Sequence, residues 1–189
     1  MQSGKLELRL LGPPQARLDG TPLRLRTRKA LALLAYLAAE GGTHRRAELA
    51  ALLWPESDEK RARATLRSAL ADLRSALGSG DGTDGGYLLV DRNSLGLDVE
   101  AGVDLDLTDL RTAHELARRP AGIARSDGEE RRELVGRLRE GSEAYRGGFL
   151  EGFYLDDAPG FDHWASVERE GWRTRLAVVL DTLSGLLLE

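Results

Sequence analysis

Between Asp58 and Leu77 the chain reads DEKRARATLRSALADLRSAL. Placed on a helix at about 100° per residue from Lys60, Ala62, Leu66, Ala69, Leu70, Leu73 and Leu77 fall between about 180° and 280°. That is one narrow apolar stripe. Lys60, Arg63, Arg67 and Arg74 fall between about 300° and 360°, and no acid shares their arc. Asp72 lies on the far side, and Arg61, Thr65, Ser68 and Ser75 fill the remaining outer surface. Such a helix has the chemistry to bind a polyanion. It fits the major groove of duplex DNA, where arginine pairs bidentately with guanine, while lysine and arginine also neutralise phosphates. Small residues such as Ser68 and Ser75 let a backbone come close to bases.

Two further groups could assist. Arg26, Arg28 and Lys29 stand where another helix begins, and the N–H groups of a helix start favour a phosphate. Arg92 and Asn93 occupy a hairpin tip, within reach of a minor groove or a phosphate. Trp54, beside Leu52 and Leu53, reads as core.

Several elements must position these residues. Leu6–Leu10 alternates apolar and polar residues as a half-buried strand does. Gly12-Pro13-Pro14 breaks it. Short strands follow at Ala16–Leu18 and Leu23–Leu25, joined by the Asp19-Gly20 turn signal. Thr27 suits a helix N-cap, and Ala30, Leu31, Leu34, Leu37 and Ala38 recur at helical spacing up to Gly41-Gly42. A shorter helix carries Leu49, Leu52 and Leu53 and stops at Pro55. Asp58 caps the cationic helix, which Gly78 closes. Ser79–Gly86 reads as a loop. Tyr87–Val90 and Leu95–Leu97 flank Arg92-Asn93-Ser94 as a hairpin. Strands, three helices and a hairpin, in that order, describe a winged helix.

From Val103 the pattern turns helical. One helix runs through Leu105, Leu107 and Leu110, Gly122–Glu129 is a linker, Leu134–Tyr145 is a second helix, and a third runs from Phe161 or Trp164 to Leu188. The apolar ending Leu186-Leu187-Leu188 suggests a chain that continues. The expected division is 1–98 and 99–189.

Charge follows that division. Residues 1–98 hold 15 Lys/Arg against 12 Asp/Glu, and residues 99–189 hold 12 against 19. The polyanion partner therefore belongs with the first half. The charge overall is −4, hydrophobic residues make up 41% and charged residues 31%, so an ordered chain with a real core is expected. No run of apolar residues could cross a membrane, no secretory signal opens the chain, and cysteine is absent. A cytoplasmic location is the expectation.

Catalytic sets are lacking. Asp156, Asp157, Asp162 and His163 could hold a metal in principle, which would allow a hydrolase, but they read better as a capped turn before the last helix. His44, His114 and His163 form no metal-binding spacing, and the glycine-rich Gly78–Gly86 lacks the Gly-Lys-Ser/Thr of a phosphate loop. No cofactor and no metal is expected. The aromatics Phe149, Phe153, Tyr154, Phe161, Trp164 and Trp172 read as packing, with any exposed one available to a partner.

Taken together, Leu6–Gly12, Leu23–Leu37, AELAALLWP (Ala47–Pro55), ARATLRSALADLRSAL (Ala62–Leu77) and GYLLVDRNSLGLD (Gly86–Asp98) resemble the AfsR/SARP family of bacterial transcriptional activators. Val103-Asp104-Leu105-Asp106 and Tyr145–Glu170 extend the likeness into that family's bacterial transcriptional activation domain. The resemblance implies an α+β fold: a winged helix of the response-regulator type over 1–98, then part of a helical, tetratricopeptide-like domain over 99–189. It implies double-stranded DNA bound at direct repeats near a promoter, recruitment of RNA polymerase, and room for a dimer on DNA. It implies base and phosphate contacts from the third helix, with Arg63, Arg67 and Arg74; the charge pattern adds Lys60, the helix start Arg28 and Lys29, and the hairpin tip Arg92 and Asn93 as expected DNA contacts. The alternative is a protein-interaction module that uses the helical half as a scaffold.

Overall fold

The computed structural model describes residues 4–78, 86–118 and 128–188. The loop expected over Ser79–Gly86 lies almost wholly outside them, as does most of the linker expected over Gly122–Glu129. The described residues form two compact units. Unit 1 takes the chain up to Leu8, Gln15–Asp104 and Tyr154–Trp164; unit 2 takes Arg9–Pro14, Leu105–Phe153 and the chain from Ala165. Each unit thus includes a short stretch remote in sequence from its main body.

Unit 1 opens on strands β1 (Leu6–Arg9), β2 (Gln15–Leu18) and β3 (Thr21–Pro22). A short strand β7 (Val103–Leu105) joins them, giving the order β3-β2-β1-β7. Helix α1 (Arg28–Glu40) begins at Thr27, whose Oγ1 accepts the Ala30 N–H at 3.1 Å. Strand β4 (Thr43–Arg45), α2 (Arg46–Leu53) and α3 (Glu59–Ala76) follow. Asp58 caps α3 by accepting the Arg61 N–H at 2.9 Å. The hairpin is β5 (Leu88–Val90) and β6 (Ser94–Leu97).

Strand β4 extends that hairpin to three strands, pairing Thr43 with Gly96 and Arg45 with Ser94. Thr43-His44-Arg45 has no apolar alternation, so its strand character comes from backbone pairing across about 50 residues. Gly96 makes the approach possible, because a Cβ there would run into the carbonyl oxygen of Gly42. The core of unit 1 is built from Leu6, Leu8, Leu33, Leu34, Leu37, Leu49, Leu53, Leu66 and Leu73, all fully buried.

Unit 2 is helical. Helix α4 (Asp106–Ala117) packs on α5 (Gly128–Glu143). Gly141 sits where a side chain would strike Ala113 and come within 2.9 Å of the Asp109 carbonyl oxygen, so glycine sets the closeness of that pair. Helix α5 begins six residues before the expected Leu134, since its first turns are almost entirely charged and show no apolar period. Helix α6 (Pro159–Leu188) carries proline as its first residue, where a missing N–H costs nothing. Its residues up to Trp164 belong to unit 1 and the rest to unit 2.

Arg9–Pro14 lies along 146–151 in unit 2. The Leu150 N–H donates to Leu10 O at 2.9 Å and the Arg146 N–H to Leu11 O at 3.2 Å. At the centre lies Asp106, its side chain 3% exposed. It accepts the Leu10 N–H at 2.8 Å and the Leu11 N–H at 2.9 Å, with the Arg146 guanidinium 3.8 Å away. Burial pushes its carboxyl above the ordinary range, against the pull of those two N–H groups, Arg146 and Arg9. Phe149, Leu107, Leu110, Leu138 and Trp172 complete this core. Among the described residues no helix is long and apolar enough to cross a membrane.

Candidate nucleic-acid interface

Helix α3 presents the stripe its sequence describes. Ala62, Leu66, Ala69, Leu70, Leu73 and Leu77 are buried, while Lys60, Arg63, Arg67 and Arg74 are exposed. Asp72, on the far side, accepts the Arg26 N–H at 2.7 Å and so ties the chain before α1 to α3. The hydroxyls of Thr65 and Ser68 turn back to the carbonyls of Arg61 and Ala64, at 3.0 and 3.3 Å. They leave the guanidinium groups as the reaching donors of this face.

Around the N-terminal half of α3 a groove of about 770 Å³ opens within unit 1. Its cations are Arg45, Arg46, Lys60, Arg63, Arg67 and Arg92; Asn93, Ala47 and Leu66 also line it. Among the described residues Glu59 is the one acid of the lining, and it pairs with Arg63 one turn along the helix. Among the described residues Lys60, Arg67 and Arg92 have neither a hydrogen bond nor an ion pair from their side chains.

The hairpin tip is fixed to this corner by backbone contacts. The Arg46 N–H donates to Asn93 O at 2.9 Å, and β4 hydrogen-bonds β6 alongside. Four elements therefore converge: the end of β4, the start of α2, the N-terminal half of α3 and the tip around Arg92. Six cations held this close in water repel one another unless counter-ions collect, and a phosphate backbone supplies such charge in register.

The remaining expected residues stand elsewhere. Arg74 is exposed on the last turn of α3, outside the groove lining. Lys29 is 13% exposed; its ammonium meets Asp157 at 2.7 Å and lies 5.5 Å from the Trp54 ring centroid. That contact holds the Asp157 carboxyl below its ordinary range. Arg28 donates to the Tyr154 carbonyl oxygen at 2.8 Å. The structure thus joins Lys60, Arg63, Arg67, Arg92 and Asn93 in one place, and turns Arg28 and Lys29 toward residues 154–157.

Sequence reasoning passed over Arg45 and Arg46. Their signal was an adjacent Arg pair at the start of a helix, Arg45 as its N-cap and Arg46 as its first residue. The Asp156–His163 cluster does not converge: Asp162 accepts the Leu155 N–H at 3.0 Å, Asp157 holds Lys29, and no three acidic or histidine side chains among the described residues gather to hold a metal.

No protein-family model matches the chain, and no curated protein matches it. Among solved structures, the chain described as "Mycobacterium tuberculosis EmbR in complex with low affinity phosphopeptide" superposes with a TM-score of 0.67 and 23% identity. The match covers 91% of this chain and 44% of that one, so this chain spans less than half the length of EmbR. At that identity the likeness establishes the fold alone, an α+β winged helix with helices after it.

Proposed function

We propose that this chain is a sequence-specific, DNA-binding transcriptional regulator of the SARP type. In this reading α3 enters the major groove and the hairpin β5–β6 serves as the wing. One observation carries it: among the described residues, six cations from β4, α2, α3 and the hairpin tip line a single groove, and the only acid there is already occupied by Arg63. The SARP-like fold supports it.

The proposed contacts are Lys60, Arg63, Arg67, Arg92 and Asn93, with Arg45 and Arg46 added. Arg67 is the proposed base reader, Arg74 a flanking phosphate contact, and Arg28 and Lys29 supports for the 154–157 segment. Residues 1–98 are assigned the DNA-binding role and 99–189 the regulatory role. Direct repeats as the operator, a dimer on DNA, activation and recruitment of RNA polymerase belong to the same proposal, as does a cytoplasmic setting.

Selection of duplexes from a random pool by the full chain, read by sequencing, tests it. The expected result is enrichment of a short element, repeated at a fixed spacing, that Arg67→Ala no longer enriches. A pool left flat by the unmodified chain overturns the proposal and leaves the scaffold alternative.

A further inference from the structure

Unit 2 gathers cations of its own around a buried indole. Trp172 of α6 is 1% exposed, and its Nε1 has no hydrogen-bond partner. The guanidinium carbons of Arg111 and Arg175 lie 5.7 and 4.6 Å from its ring centroid. Arg111 and His114 of α4, and Arg118 as its C-cap, stand at i, i+3 and i+7 and so share one face. His114 is held below its ordinary pKa by burial first, then by Arg118 of its own helix and Arg175 of α6, with Glu115 opposing weakly. Two arginines from two helices therefore meet one indole, and His114 and Arg118 stand on the α4 face that carries Arg111.

No carboxylate among the described residues is ion-paired with Arg111, Arg118 or Arg175. The contrast within the unit is direct, because Arg137 pairs with Glu133 and Arg173 with Glu170. The Arg111 and Arg175 guanidinium groups both lie against one buried indole, so like charges share its surroundings, and a bound anion would offset their repulsion. The number of forks selects the anion. A carboxylate is filled by one bidentate arginine, whereas a phosphate offers three acceptor oxygens to several.

We propose that Arg111, Arg118 and Arg175, with His114 beside them and Trp172 beneath, form a phosphate-binding site in unit 2. It is separate from the groove around α3 and does not depend on the DNA-binding reading. The phosphate can be the free ion or the monoester of a larger ligand. Binding places a negative charge near His114 and favours its protonation.

The test is nuclear magnetic resonance of the full chain, titrated with inorganic phosphate and, separately, with adenosine 5′-monophosphate. Sodium chloride at equal ionic strength is the control, because screening alone also weakens the repulsion on His114. The expected result is a rise of the His114 midpoint by about half a unit beyond the chloride effect, with a shift of the Trp172 indole N–H signal. Arg111→Gln and Arg175→Gln should each weaken phosphate binding about tenfold, as loss of a charge-assisted hydrogen bond does. Arg175→Lys keeps the charge without the fork and should fall between Arg175→Gln and the unmodified chain. Stronger binding of the nucleotide identifies a monoester ligand, and equal or weaker binding the free ion. A His114 response no larger than in chloride for both probes, or an Arg175→Lys chain that folds and binds phosphate like the unmodified one, overturns the proposal.

Discussion

Charge is handled in opposite ways in the two units. In the groove around α3, Lys60, Arg67 and Arg92 face water and have no protein partner among the described residues. At the centre of unit 2, Asp106 is buried and meets two backbone N–H groups and an arginine. A buried charge must be satisfied from within, or folding suffers. An exposed, unpaired cation costs little and remains free to bind. The buried arrangement belongs to architecture and the exposed one to the proposed recognition, and mutation should separate them.

The largest effect is expected at Asp106. Asp106→Ala leaves the Leu10 and Leu11 N–H groups buried without acceptors, and should cost about 2–5 kcal/mol of stability, measured by urea denaturation. The intrinsic DNA contacts should be untouched where the variant is folded. Arg67→Ala should do the reverse. It should weaken operator binding by about 1–3 kcal/mol and move stability by no more than about 0.5 kcal/mol. If Arg67→Ala unfolds the chain, or Asp106→Ala is silent, the contrast fails.

Lys60→Ala sharpens the comparison further. A phosphate contact should weaken binding to all sequences alike and lower the slope of log affinity against log salt by about 1. A loss confined to one operator sequence would make Lys60 a base reader instead.

The smallest effect concerns pH. His114 has its pKa lowered in the folded chain, so its neutral form is the one the fold prefers. Its contribution is present above the ordinary histidine value of about 6.5 and is lost as pH falls through the lowered one. His114→Gln should flatten that part of the stability profile while leaving the acid limb due to carboxylates.

What could be read in the sequence was local. The stripe of α3, its Asp58 cap and the Thr27 cap each rest on residues within a few turns of one another, and periodicity displays them. The expected helix through Leu105 and Leu107 begins one residue later than its first leucine, because Val103–Leu105 is recruited as an edge strand beside β1. Strand β4 escaped notice because its three residues carry no pattern of their own. Lys29 could be seen as a cation at a helix start, but its partner Asp157 is 128 residues away. Asp106 was one residue of a familiar four-residue motif, with nothing nearby to mark it as the acceptor for N–H groups 95 and 96 residues earlier. The groove cations Arg45 and Arg46 join α3 only through the pairing of β4 with β6. Legibility thus ended where sequence separation exceeded one supersecondary element.

The excursion of Arg9–Pro14 into unit 2 has a consequence for heredity. A recombination breakpoint after Asp98 would carry Leu10 and Leu11 away from the residues that bury them, and would leave Asp106 behind without its donors. Neither half can be grafted onto a new partner by a single crossover, so descent should transmit the pair together even where the groove cations change.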